Sequence, residues 1–364
     1  MLAFLVLIGP ESARRCGAVC MSRRPPLMCS DGDDAARTAR RSRPGDEGAR
    51  GLTYTRRKRD AWAAEDLERL PEVLRPAPDE TLDLILRKKV LLLQARRGYR
   101  ANTDSQMLAL FAVECLQEPP DLLLDLGAAN GLVSILLAGT FPACQAHLVE
   151  LQASLADRAN RNLQLNGISA SRSRVIEADI AQPLELPKKY DLVVSNPPYY
   201  PRDTYRALPR GTEKRLAHIE SSADLSQFAL AMRKNLAENG VGCFIQDFSQ
   251  QVRLIEAIQS SGLRITRVGH VFHTEVDLEP LRVLVAVSLP NKDQDESFNT
   301  VGCTDTTSPS LLPSPCRIVL HPGDNPASTT YTEDHEDWLR RLPRPPFVIG
   351  RLRPEYDHDE GENA

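Results

Sequence analysis

The sequence predicts an α/β domain: a mostly parallel sheet of seven strands, helices on both faces, and an antiparallel last strand. Three observations carry this. Beyond Pro120, short apolar runs alternate with stretches of helical periodicity. A glycine-bearing turn joins the first of these runs to the first helix. The last two runs are linked by a stretch with no helical pattern, so the final strand is expected to enter antiparallel.

The expected strands are Leu122–Leu126, Ala146–Val149, Arg174–Glu177, Leu192–Ser195, Val241–Gln246, Ile265–Val271 and Val283–Leu289. Between them lie expected helices Leu132–Gly139, Ala153–Leu165, Leu225–Asn239 and Gln250–Ser261. Upstream, Thr81–Gln94 reads as helical or mixed and carries Arg87-Lys88-Lys89. A further helix starts at Thr103-Asp104, where Thr and Asp suit a cap and Met107, Leu108, Leu110 and Phe111 give an apolar face. Arg317–Leu320 can add one short strand, and Tyr331–Leu339 a terminal helix. The expected organisation is an extension over 1–70, one domain over 71–290, a polar insertion over 291–316, a strand and helix over 317–340 completing the domain, and an irregular tail over 341–364.

Composition narrows the function. Apolar residues make up 41% of the 364, enough for a core, and the net charge of −4 is not that of a dedicated nucleic-acid binder. Any contact with a polyanion must therefore come from local basic clusters. Arg96, Arg97 and Arg100 form one; Arg202, Arg206, Arg210, Lys214 and Arg215 form another. The plainer reading of each is a solvated face. No apolar run approaches the roughly 20 residues that span a bilayer. The eight cysteines include no C-x-x-C pair, which fits free thiols in a reducing compartment rather than a metal site. The first thirty residues are rich in Arg and nearly free of acid, as in an organelle-targeting peptide or a plain disordered extension. The expected location is the cytoplasm, or a plastid or mitochondrion if that extension is a transit peptide.

Two motifs carry the chemistry. In Asp125-Leu-Gly127-Ala-Ala129-Asn-Gly131 a strand turns into a helix through glycines, which let a ligand approach the backbone. Glu150 ends the next strand about twenty residues on, the spacing at which a carboxylate accepts from ribose hydroxyls. Asp179, after the third strand, can accept from an adenine amino group or simply cap its loop. There is neither a G-K-[ST] phosphate cradle nor a G-x-G-x-x-G pattern, so an adenosine-containing ligand fits better than a nucleoside triphosphate or dinucleotide.

The second motif is Asn196-Pro197-Pro198-Tyr199, at the end of the fourth strand. Two prolines stop the ladder and stiffen the turn. An exocyclic amino group on a heterocycle is a poor nucleophile because its lone pair is delocalised. Two acceptors that hold its hydrogens turn the lone pair toward a methyl donor. The Asn196 side-chain oxygen and the Pro197 carbonyl can be those acceptors. Tyr199 offers a flat face for stacking. The residues alone leave adenine, guanine and a glutamine amide open as targets.

Together with Val149-Glu150-Leu-Gln152, Ala178-Asp179-Ile180 and Ser195–Tyr200, these segments resemble the successive motifs of class I, Rossmann-like methyltransferases that use S-adenosyl-L-methionine. Gly98–Leu108, Arg215–Glu220 with Leu225, Arg317–His321 and Tyr331-Thr332 resemble the bacterial-type tRNA1(Val) (adenine-37)-N6-methyltransferase family, of the methyltransferase small domain group. The resemblance implies methylation of adenine N6 in RNA, with tRNA as partner, in a monomer without metal. It implies Asn196, Pro197, Pro198 and Tyr199 as the catalytic motif. Gly127, Ala129 and Gly131 would line the cofactor, with Asn196 at its edge. Glu150 would hold its ribose and Asp179 its adenine. Asp125 would reach the methionine part, and Thr103 and Asp104 would close over it. Ala129 departs from the glycine usual there, and its methyl is expected to weaken cofactor binding. A glutamine-N5 or rRNA guanine-N2 methyltransferase, and a catalytically silent RNA-binding subunit on the same fold, are the competing readings.

Overall fold

The computed structural model describes residues 67–199 apart from 185 and 187, then 223–290, 313, 315–321 and 333–343. The first basic cluster lies within this span. The second cluster, the N-terminal extension up to 66, Tyr200, the Arg215–Glu220 segment, Tyr331-Thr332, the tail beyond 343 and nearly all of the insertion lie outside the described residues.

The strands are β1 (Glu80–Ile85), β2 (Val90–Ala95), β3 (Leu122–Leu126), β4 (Gln145–Glu150), β5 (Ser173–Glu177), β6 (Tyr190–Ser195), β7 (Leu236–Asp247), β8 (Arg264–Thr274), β9 (Arg282–Ser288) and β10 (Cys316–His321). The helices are α1 (Thr103–Cys115), α2 (Leu132–Thr140), α3 (Ala153–Leu165), α4 (Leu225–Asn235), α5 (Gln251–Ser261) and α6 (Glu333–Arg341). The main sheet runs β10-β8-β9-β7-β6-β3-β4-β5. It has eight strands rather than the expected seven, because β10 pairs parallel with β8 along its outer edge. β9 is antiparallel to β7 and β8, as its helix-free connection requires. The other pairings are parallel. Side chains of β3 alternate between two cores. Leu123 joins the face covered by α1, α2 and α6, whereas Leu124 and Leu126 join the face covered by α4 and α5. No helix of the described residues is long and apolar enough to cross a membrane.

Two local expectations are corrected. Thr81–Gln94 is not helical; β1 and β2 form an antiparallel hairpin. Its turn places Leu86, Arg87 and Lys88 at positive φ, a conformation no helix uses. The free edge of β2 is satisfied by side chains of α3. The Asn162 amide accepts from the Leu93 N–H at 2.6 Å and donates to the Leu93 carbonyl at 3.1 Å. The Asn166 amide does the same for Leu91, at 3.0 and 2.7 Å. Two amides thus stand in for a neighbouring strand. Buried Glu80 completes the dock, accepting from Arg158 at 2.8 Å and from Arg161.

The second correction concerns Leu225–Asn239. The helix stops at Asn235, and Leu236 already pairs with Tyr190 in the sheet. A register shift follows, and Gly240 lies so close that a Cβ there would sit 2.7 Å from the Tyr190 carbonyl. Helical periodicity had continued through residues that the sheet claims.

Candidate active site

The cleft lies at the carboxyl ends of β3, β4 and β6, where ligands of open α/β sheets bind. It holds about 970 Å³ measured out to bulk solvent. Its floor is the turn after β3. Gly127 takes φ +76°, and its N–H donates to the Val149 carbonyl at 2.9 Å. A side chain there would meet the Phe228 ring at 3.2 Å. Ala129 is also in the left-handed region, at φ 49°, without being glycine. Its N–H donates to Glu150 Oε2 at 2.8 Å, and the Gln152 N–H donates to Oε1 at 2.9 Å.

Asp125 lines the cleft and is buried, accepting from the Ser134 hydroxyl at 2.8 Å. Burial, reinforced by nearby Glu150, pushes its carboxyl up to about 7. Such a carboxyl favours a cationic ligand. Asp179 lines the opposite wall, its Oδ1 accepting from the Ala181 N–H at 2.9 Å. Both roles foreseen for Asp179, loop cap and cleft-facing acceptor, are compatible with this placement.

The Asn196–Tyr199 turn lines the cleft. Ser195 anchors it from below, donating to the Leu126 carbonyl at 2.8 Å. The Pro198 carbonyl accepts from Gln246 Nε2 at 3.3 Å. Neither the Asn196 amide nor the Pro197 carbonyl has a hydrogen-bond partner among the described residues. Tyr199 is buried, and its hydroxyl donates to Asp104 Oδ2 at 2.7 Å.

Three anticipated residues stand elsewhere. Thr103, Asp104 and Gly131 are not part of the cleft lining. Asp104 lies behind the Asn196–Tyr199 turn, buried against Tyr199 and Arg282, while its neighbours Asn102 and Ser105 face the cleft. Gly131, at φ +84°, permits α3 to close in, since a Cβ there would touch Ala159 at 3.3 Å. In the first basic cluster, Arg100 is engaged inside the fold by Asp83, Thr81 and the Ala95 carbonyl, and Arg96 by the Pro78 carbonyl. Sequence reasoning missed Gln246, Asp247 and Arg282. They lie on β7 and β9, more than forty positions beyond the motif that they support; the β6–β7 register, Ser195 opposite Phe244, brings Gln246 and Asp247 to it, and the β7–β9 register, Asp247 opposite Arg282, adds Arg282.

Residues 103–208 match the family described as the methyltransferase small domain. A tRNA1(Val) (adenine(37)-N6)-methyltransferase of Actinobacillus pleuropneumoniae serotype 7 is 29% identical over 210 residues, 57% of this chain and 85% of its own. That of Pedobacter heparinus is 30% identical over 189 residues, 52% of this chain and 76% of its own. The chain belongs to this family. It is an S-adenosylmethionine-dependent methyltransferase with the Rossmann-like fold of its class. Among solved structures, a ribosomal protein L11 methylase of Lactobacillus delbrueckii subsp. bulgaricus is 16% identical with a TM-score of 0.39, covering 54% of this chain and 84% of its own. That likeness is too distant to argue from.

The cleft of this methyltransferase fits its cofactor chemically. The glycine-bearing turn after β3 lies against it, the Glu150 carboxylate ends β4 beside that turn, and the buried acid Asp125 stands in the same lining, a donor set suited to an adenosine-containing cation.

Proposed function

We propose that the enzyme methylates N6 of an adenine in RNA, with tRNA as the substrate class. The observation that carries this reading is the pair of acceptors, Asn196 and the Pro197 carbonyl, which have no partner among the described residues and line the cleft beside a buried aromatic ring. The bound cofactor supplies a methyl group on a sulfonium, open to in-line attack. Asn196 and Pro197 would each accept one hydrogen of the target amino group and turn its lone pair into the cleft. Tyr199 would stack on the base, which must leave its helix to reach the cleft. Glu150 would accept from the ribose hydroxyls, Asp179 from the adenine amino group, and Asp125 would oppose the methionine ammonium. Gly127 and Ala129 would form the floor; Gly131, Thr103 and Asp104 would act by shaping the turn and helix around it. Catalysis is then mainly positioning and preorganised hydrogen bonding.

The relatives' names favour RNA adenine over a glutamine amide or guanine N2. The reading takes residues 71–290 with 317–340 as one catalytic domain, acting as a monomer without metal, in the cytoplasm or in an organelle of bacterial type. The test is transfer of tritiated methyl to total tRNA, rRNA and a release factor, followed by hydrolysis. Label in N6-methyladenosine from tRNA supports the reading. Label confined to N2-methylguanosine or to glutamine overturns it.

A further inference from the structure

We infer that Arg282 is a positioning residue that sets the ring of Tyr199 for the target base. The inference rests on the functional reading above. Arg282 opens β9 and is nearly buried. Its Nε donates to Asp104 Oδ1 at 3.1 Å, and its Nη1 to Asp247 Oδ2 at 3.1 Å. Its Cζ lies 5.3 Å from the centroid of the Tyr199 ring. The Tyr199 hydroxyl takes the other oxygen of the same Asp104 carboxylate. Tyr199 is thus fixed at its hydroxyl and on one face by groups that share an acid.

The arrangement suits arginine and no other residue. A planar guanidinium reaches two carboxylates at once while lying against a ring; an ammonium satisfies one at a time. The two acids in turn raise the guanidinium's proton affinity, so the charge persists despite burial. Arg282 is absent from the cleft lining, so it acts on the base through Tyr199 and not on the cofactor. Asn102, which does line the cleft, donates to Asp104 Oδ2 at 2.7 Å. The same carboxylate therefore joins the start of α1 to the catalytic turn.

A residue that only braced β7 against β9 would affect stability, and its effect on turnover would multiply with that of a change at Tyr199. A positioning residue behaves otherwise. The experiment is a double-mutant cycle of Arg282→Lys and Tyr199→Phe on the full chain. It reads kcat, KM for RNA and calorimetric affinity for S-adenosylmethionine. Arg282→Lys is expected to raise KM for RNA about tenfold, the scale of one lost base stack, with cofactor affinity within about twofold of wild type. The double variant is expected to be no worse than the worse single variant. An RNA with 2-aminopurine at the target position gives a second readout: wild type quenches its fluorescence by stacking, and Arg282→Lys does not. Asp247→Asn, which loosens only the second anchor, carries the same cycle if the lysine variant does not fold. Multiplied losses, or full quenching by the variant, overturn the positioning role. Wild-type enzyme that leaves adenine N6 unmethylated overturns the functional reading and this inference with it.

Discussion

The Ala129 N–H donates to Glu150 Oε2 at 2.8 Å from a left-handed backbone that its own methyl group disfavours. The bond ties the acid to the turn, and both residues line the cleft. Left-handed geometry costs a non-glycine residue about 1–2 kcal/mol, whereas glycine adds about 0.5–1 kcal/mol of unfolded-state entropy. Ala129→Gly is therefore expected to raise stability by up to about 1 kcal/mol. It should also tighten cofactor binding severalfold. Urea unfolding and calorimetry check both; unchanged affinity would mean that the methyl stands clear of the ligand.

Asp125 is expected to make cofactor binding depend on pH. Its folded-state carboxyl titrates near 7, raised by burial. A group raised in the folded state binds more protons there than when unfolded, so stability falls as pH rises from the ordinary carboxylate range toward 7 and levels off above it. A cationic ligand favours the ionised form. Cofactor affinity is expected to improve as pH rises through 7, with proton release on binding below that pH. Calorimetry in buffers of different ionisation enthalpy reads the released protons. Asp125→Asn should abolish the dependence.

The hairpin and the last helix close the domain from opposite ends of the chain. Lys89, in the hairpin turn, donates to the Arg340 and Leu342 carbonyls at 3.0 and 2.8 Å. Leu339 is fully buried beneath them. Leu339→Ala is expected to cost about 2–5 kcal/mol, as for other core leucines. A loss under 1 kcal/mol in urea unfolding would show that α6 is not part of the cooperative unit.

Glu80 is buried between Arg158 and Arg161 and ties the hairpin to α3. Glu80→Ala leaves Arg158 buried without its acid, which is expected to cost about 3–5 kcal/mol. The hydrogen bonds of Glu80 to both arginines hold its carboxyl below the usual range against its burial. The sign is opposite to that of Asp125. Stability from Glu80 is present above pH 4.5 and is lost as pH falls through its depressed value. A pH series on Glu80→Gln, flat in the acid range where wild type declines, checks this.

The sheet was legible because its strands are short apolar runs in which period and length agree, as at Leu122–Leu126. The hairpin was not. Leu91, Leu92 and Leu93 are all buried, so no alternation marks β2 as a strand, and the partners that complete its edge, Asn162 and Asn166, lie on a helix seventy positions on. The site divides the same way. Asn196–Tyr199 and Glu150 sit on contiguous motifs, and their chemistry follows from residue type. Asp104 carries no local sign that it will face a tyrosine 95 residues away and an arginine 178 residues away. That relationship exists only once β9 has paired with β7.

The central claim is that Asn196 holds the hydrogens of the target amino group and contributes little to holding the cofactor whose edge it meets. Single-turnover methyl transfer to tRNA by Asn196→Ala, with calorimetric titration of S-adenosylmethionine on the same preparation, tests it most directly. The expected result is a fall in rate of about 10²–10³, comparable to removal of one preorganised hydrogen-bonding group elsewhere, with cofactor affinity unchanged. Loss of cofactor binding, or methylation at the wild-type rate, would contradict the account.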